Sequence, residues 1–183
     1  MKREPYKHMN CSVAAALDIV GEPWTLLILR DAYQQVRRFE EFQRHLGIAR
    51  NILTARLKKL VEHGILKKVQ YQDRPRRFEY RLSEKGAALF PVIVCLKEWG
   101  DRYGEKASFG PPLNLEDKIS GQSVKPLLID EITGKSIELQ GVRAVAGPGA
   151  TPRSSDFMKW IERQRGGESG AAAIQPSSAT VAA

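Results

Sequence analysis

The stretch RNILTARLKKLVEHG (residues 50–64), running into ILKKVQYQDRPRRFEYRL (residues 65–82), decides how this chain folds. In its first part Leu53, Leu57, Leu60 and Val61 recur at i, i+4, i+7 and i+8, one apolar stripe along a helix over 50–63. Gly64 closes that helix, because glycine takes a left-handed C-terminal cap without steric cost. In the second part, residues 65–71 and 78–82 are rich in β-branched and aromatic side chains. They flank the polar segment 72–77 and read as a two-stranded hairpin.

Upstream, residues 40–46 form a short helix with Phe39, Phe42 and Leu46 facing inward, and Gly47 is the turn into the longer helix. A short helix, a glycine turn, an amphipathic helix and a hairpin make a winged helix–turn–helix. Charge singles out the same unit. Residues 37–82 hold 13 Lys/Arg against 5 Asp/Glu, whereas residues 1–36 and 83–183 each balance to zero, so the net +8 of the 183-residue chain is one patch. A local positive field on a helix-plus-hairpin unit suits a polyanion, above all duplex DNA.

With Leu53 and Leu57 inward, the opposite face of the 50–63 helix carries Asn51, Ala55, Lys58 and Glu62, flanked by Thr54 and Lys59. A major groove of roughly 12 Å admits such a helix. Asn51 and Thr54 can hydrogen-bond base edges, and Arg50 can reach a guanine or a phosphate. Lys58 and Lys59 lie further along, suited to phosphates. In the hairpin loop Arg74, Arg76 and Arg77 surround Pro75, whose stiffness lowers the cost of ordering an arginine in a minor groove. Lys and Arg on an outward helix face commonly do no more than solvate it. The confinement of all the excess charge to one segment shifts the balance toward nucleic acid.

The rest of the chain supports a mainly α fold with a small β-hairpin wing. Residues 12–20 form a helix ended by Gly21; residues 24–33 form a largely apolar central helix with Pro23 at its first turn. Ser83 caps a long helix to about Tyr103, in which Pro91 demands a kink or an offset start. Residues 124–145, with Thr133-Gly134 as the turn, read as a small C-terminal β hairpin, and residues 155–165 as a short helix. The Gly, Ala and Ser that follow have no pattern able to bury surface. The longest charge-free apolar stretch is too short to span a bilayer, and Met1-Lys-Arg-Glu-Pro lacks a secretory core. Two cysteines, Cys11 and Cys95, make no disulfide framework. A cytoplasmic protein without a membrane role is expected. His8, His45 and His63 have no ligand spacing, so no metal or other cofactor is expected. No paired carboxylates, nucleophile–base pair or phosphate loop appears either, and an enzyme is the last of the function classes.

Residues 11–103 resemble the HxlR family of bacterial winged-helix transcription regulators, relatives of the MarR type. The resemblance is carried by CSVAAALDIVGEPWTLLILR (11–30), RFEEF (38–42), ILTARL (52–57), GIL (64–66), RFEY (77–80) and LSEKG (82–86). It implies a homodimer on a pseudo-palindromic operator in double-stranded DNA, with the first helix and the helix after the wing as interface. It also implies a repressor or activator role and room for a small-molecule effector that no residue names. In several such regulators the cysteine before the first helix senses oxidants or electrophiles, and Cys11 occupies that place. A thiolate at a helix N-terminus is stabilised by unsatisfied N–H groups; the alternative is a small apolar cap residue in the interface.

Some longer relatives end in a zinc-ribbon-like hairpin. Its frame resembles SGQ (120–122), DEITG (130–134), VR (142–143) and GPG (147–149), with Ser120, Asp130 and Thr133 where thiolates would stand. These cannot supply the tetrahedral N/S set of a structural zinc. The expected organisation is a flexible arm (1–10), a DNA-binding and dimerisation domain (11–103), a linker (104–119), a degenerate metal-free ribbon (120–149), a short helix (150–165) and a disordered tail (166–183). The competing reading is a winged-helix module for protein or RNA contact without operator reading.

Overall fold

The computed structural model describes residues 6–105 and 107–167. The chain divides into two compact units, Met1–Ser136 and Ile137–Ala183. The first opens with α1 (Ser12–Val20), which buries Ala14 and Val20 and ends where the Gly21 N–H donates to the Leu17 carbonyl at 2.8 Å.

The central helix α2 (Thr25–Tyr33) starts one residue later than the sequence suggests. Residues 22–25 form a turn, with the Thr25 N–H donating to the Glu22 carbonyl at 3.1 Å, and Trp24 takes a left-handed φ of 76°. This is the pattern of a type II turn: proline pre-sets its second position, and the third requires positive φ. Turn chemistry here overrides the option of proline inside a first helical turn. α2 then buries Ile28, Leu29 and Ala32 and touches α3, α6 and the wing. Asp31, also fully buried, is held by Arg30 and by His45 Nδ1, both at 2.7 Å.

Helix α3 (Phe39–Leu46) is capped from within. Glu41 Oε2 accepts from the N–H groups of Arg38 at 2.9 Å and Arg37 at 3.2 Å. The Arg38 bond leads in holding the Glu41 carboxyl below its usual pKa. The stabilisation is therefore in full force above the ordinary carboxylate range and fades as pH falls through the lowered value. Gly47, at φ 63°, turns the chain into α4 (Arg50–Glu62), whose Leu53, Leu57 and Leu60 are at most 1% exposed. Together with Phe42, Ile48, Ile65 and Leu66 they complete the core begun by α2.

The wing pairs β1 (Leu66–Gln72) with β2 (Arg77–Leu82) antiparallel, from Leu66 opposite Leu82 to Gln72 opposite Arg77, with an irregularity between Gln70 and Gln72. At its base Arg38 bridges Glu79 and the Tyr80 N–H donates to the Arg37 carbonyl at 2.7 Å, so the lead-in to α3 adds a third edge. Ser83 Oγ accepts from the Gly86 N–H at 3.0 Å and caps only a short α5 (Glu84–Ala87). The long helix restarts as α6 (Phe90–Tyr103), with Pro91 in its first turn, where its missing N–H costs nothing.

Beyond α6 the structure departs from the expected C-terminal hairpin. Single bridges join Glu116 to Ser123 and Ile129 to Ser136 around two tight turns, and no strand pair extends through 124–145. The apolar side chains there, such as Leu127 at 70% exposed, have no layer to pack on, and a lone two-stranded hairpin is marginal in water. In the second unit α7 (Pro152–Gly167) begins earlier than residue 155, because Thr151 Oγ1 accepts from the Ser154 N–H and Pro152 suits a first turn. Its end takes in Gly166 and Gly167, residues expected in the tail; the remainder of that tail, 168–183, and residues 1–5 of the arm lie outside the described residues.

Candidate nucleic-acid interface

Burial of Leu53, Leu57 and Leu60 turns the other side of α4 to solvent. Asn51, Thr54, Ala55 and Lys58 are all exposed there, and Lys58 Nζ lies 3.8 Å from Glu62 one turn on. The Thr54 hydroxyl donates to the Arg50 carbonyl at 2.8 Å, so its oxygen is presented outward as an acceptor. Lys59 is placed differently. Its Nζ lies 3.3 Å from Glu22 in the α1–α2 turn, beside Arg56, which pairs with the same carboxylate. Outward exposure is thus shared by five of the six residues that the periodicity groups together, Glu62 among them.

Arg50 leaves the helix start sideways, with its guanidinium 5.0 Å from the Phe39 ring centroid. That direction opens a groove of about 530 Å³ between the start of α3, the start of α4 and the wing. Six cations line it: Arg38, Arg44, Arg50, Lys68, Arg76 and Arg77. Aromatic faces hold three of them. Besides Arg50 on Phe39, Arg38 lies 4.8 Å from the Tyr71 ring and Lys68 4.3 Å from the Phe78 ring. Such contacts fix a cation without neutralising it. Two carboxylates also line the groove, Glu40 and Glu41, and Glu41 is engaged by the backbone N–H groups of residues 37 and 38. Burial first, then the Glu40 charge, raises the Tyr80 pKa at the groove wall. The local balance stays strongly positive.

Arg76 and Arg77 therefore join Arg50 in one concavity. Arg74 is exposed at the wing tip, where its carbonyl accepts from Gln72 Nε2 at 2.9 Å. Sequence reasoning missed Arg38, Arg44 and Lys68. All three sit in the basic segment, and the alternation along β1 could have placed Lys68 on a side of its own. What assembles them is contact between elements some 30 residues apart. Cys11 is exposed and stands at the N-cap of α1, where its carbonyl accepts from the Ala15 N–H at 3.0 Å. Among the described residues no group of three or more His, Cys, Asp or Glu is placed to hold a metal. No single helix among them is long and apolar enough to cross a membrane.

Comparison with known proteins agrees with this geometry. A family model described as HxlR-like helix-turn-helix matches residues 19–108. An uncharacterized HTH-type transcriptional regulator of Mycobacterium tuberculosis is 46% identical over 138 residues, 75% of this chain and 87% of that protein. Another, YdeP of Bacillus subtilis, is 34% identical over 112 residues, 60% and 88% of the two chains. The crystal structure of PA1607, described as a transcription factor, superposes with a TM-score of 0.67 at 38% identity, covering 78% of this chain and 99% of that one. PA1374 of Pseudomonas aeruginosa gives 0.56 at 36% identity, covering 80% and 99%. With a winged helix–turn–helix, a cationic interface and these relatives, the chain belongs to the HxlR-like helix-turn-helix family: it is a transcriptional regulator with a helix–turn–helix DNA-binding domain, and not an enzyme.

Proposed function

We propose that the protein acts in the cytoplasm as a homodimer on a pseudo-palindromic operator, with α4 in the major groove and the wing along the adjacent backbone. The observation that carries this reading is the continuity of the polar face of α4 with the six-cation groove: Asn51, Thr54 and Ala55 face base edges while Lys58 and the groove take phosphates. Pairing of chains is supported by α6. Its Val92, Leu96, Trp99 and Tyr103 form an exposed stripe, Trp99 at 63%, and α1 adds exposed Val13 and Leu17. Solvent is a poor partner for so continuous an apolar surface. Two chains joined there would present their α4 helices to half-sites about one helical turn apart.

Selection from random duplexes with the full chain, followed by sedimentation of the complex, tests the reading. One enriched pseudo-palindrome bound by two chains is expected. Absence of enrichment, or sequence-independent binding, would favour a module for RNA or protein contact. Within a selected operator, Asn51→Ala or Thr54→Ala should flatten discrimination among base-pair variants by roughly 1–3 kcal/mol where the side chain reads a base edge. Unchanged preference would remove that side chain from base reading.

A response to oxidants or electrophiles is supported by the exposure of Cys11 and by its N-cap position on α1, the end of a helix at which a thiolate is favoured. Alkylating Cys11 in a Cys95→Ser background is expected to lower operator affinity; retained affinity after complete modification would dismiss it as a sensor.

A further inference from the structure

The turn between α1 and α2 grips α4 from behind. Glu22 pairs through one carboxylate oxygen with Arg56 and through the other with Lys59 at 3.3 Å. Arg56 Nε also donates to the Pro23 carbonyl at 3.0 Å. Both cations are about four-fifths buried, at 20% and 22% side-chain exposure, while the Glu22 carboxylate is 39% exposed, so the bridges are shielded on the helix side and open to solvent on the other. The next residue but one, Trp24, keeps a left-handed backbone that a side chain rarely adopts, and such a conformation persists only where the surroundings over-determine it. Here those surroundings include α4 itself. The turn and the helix fix each other.

Position along α4 gives the grip its meaning. Arg56 and Lys59 lie within one or two turns of Thr54, Ala55 and Lys58, on another side of the same rigid rod. A small rotation of α4 about its axis moves every base-facing atom together, and hydrogen-bond readout tolerates little displacement. On the other side of the turn stands α1, with exposed Val13 and Leu17 and with Cys11 at its start.

We propose that Glu22 is a positioning residue for operator reading: it locks the orientation of α4 and passes any shift of α1 to the base-reading face. This rests on α4 being the helix that reads bases. It adds a residue some 30 positions away that touches no DNA, and it makes the α1–α2 turn the route by which events at the first helix alter affinity.

The test is a double-mutant cycle on the full chain, read as the ratio of affinities for the selected operator and an unrelated duplex. Glu22→Gln keeps the shape of the side chain and removes its charge. The ratio should fall at least fivefold, within the range of coupling found for residues in one network. Affinity for the unrelated duplex should hold or rise, because two cations are released. In an Arg56→Gln/Lys59→Gln background the same change should alter the ratio less than twofold. An unchanged ratio in folded Glu22→Gln, or full additivity of the two sets, overturns the proposal. Should Glu22→Gln fail to fold, Lys59→Gln alone severs one bridge and should lower the ratio by a smaller factor, and an unaltered ratio there overturns it equally. A parent protein that cannot distinguish the two duplexes sinks the operator reading instead, which keeps the two failures apart.

Discussion

Alanine at Arg38, Arg44, Lys68 and Arg76 together is expected to weaken operator binding by roughly 10²–10³-fold near physiological salt. It should also flatten the plot of log affinity against log salt by about 3 to 4, close to 0.9 for each phosphate no longer neutralised. The four side chains line one concavity with Arg50 and Arg77 and lie outside the buried core, so their loss removes field and two cation–aromatic contacts without opening a cavity. Of the two carboxylates there, Glu41 is already engaged by the backbone at the start of α3, and one opposing charge cannot cancel six. The ratio between operator and unrelated duplex should stay within a few-fold of the parent, because phosphate contacts carry no sequence information. Titrations at three or more salt concentrations check both statements. An unaltered slope would empty the groove of its role, and a collapse of sequence preference would make it a base reader.

Gly86→Ala is expected to cost roughly 3 kcal/mol of stability or more, at the upper end of what overpacking costs, with a fall in melting temperature of about 10 °C or more. An added Cβ would sit 2.3 Å from the Ile65 carbonyl oxygen, a backbone atom that cannot swing aside. The residue is also a junction. Its N–H donates to Ser83 Oγ at 3.0 Å, and its carbonyl accepts from the Tyr33 hydroxyl at 2.6 Å. Burial around that phenol pushes its pKa up to about 12. One glycine thus joins the foot of the wing, α5 and α2. Gly100→Ala is the control: its Cβ would meet nothing within 4 Å, and alanine is the better helix former. Thermal unfolding of the two variants separates the cases, and equal midpoints would show that the junction yields.

Most of the regulator's architecture was legible in the chain. The spacing of Leu53, Leu57 and Leu60, the glycines at 47 and 64, and the alternation around residues 72–77 are local signals, and local signals survive folding. The late start of α2 was not legible, since Glu22-Pro23-Trp24 is compatible with two proline geometries, and the turn adopted is the one whose Pro23 carbonyl accepts from Arg56 on α4. Lys59 follows the same logic. Its angle on the helix is readable, but the acid that holds it lies 37 positions upstream. The groove was invisible for a related reason, because Arg38 and Lys68 meet only through the closure of the wing against the start of α3. Residues 124–145 show the opposite failure, in which strand-like alternation finds no surface to rest on and stops at a single bridge.

The hydrogen bond from Tyr80 to the carbonyl of residue 37 has a mechanical corollary. A ribbon clamped by a third edge at its root behaves as a cantilever: bending is confined to the overhang beyond Glu79, where the ladder also loses its regularity between Gln70 and Gln72. In the proposed complex the arginines at the overhang would follow a duplex of varying width, while the clamped root keeps its place beside the start of α3.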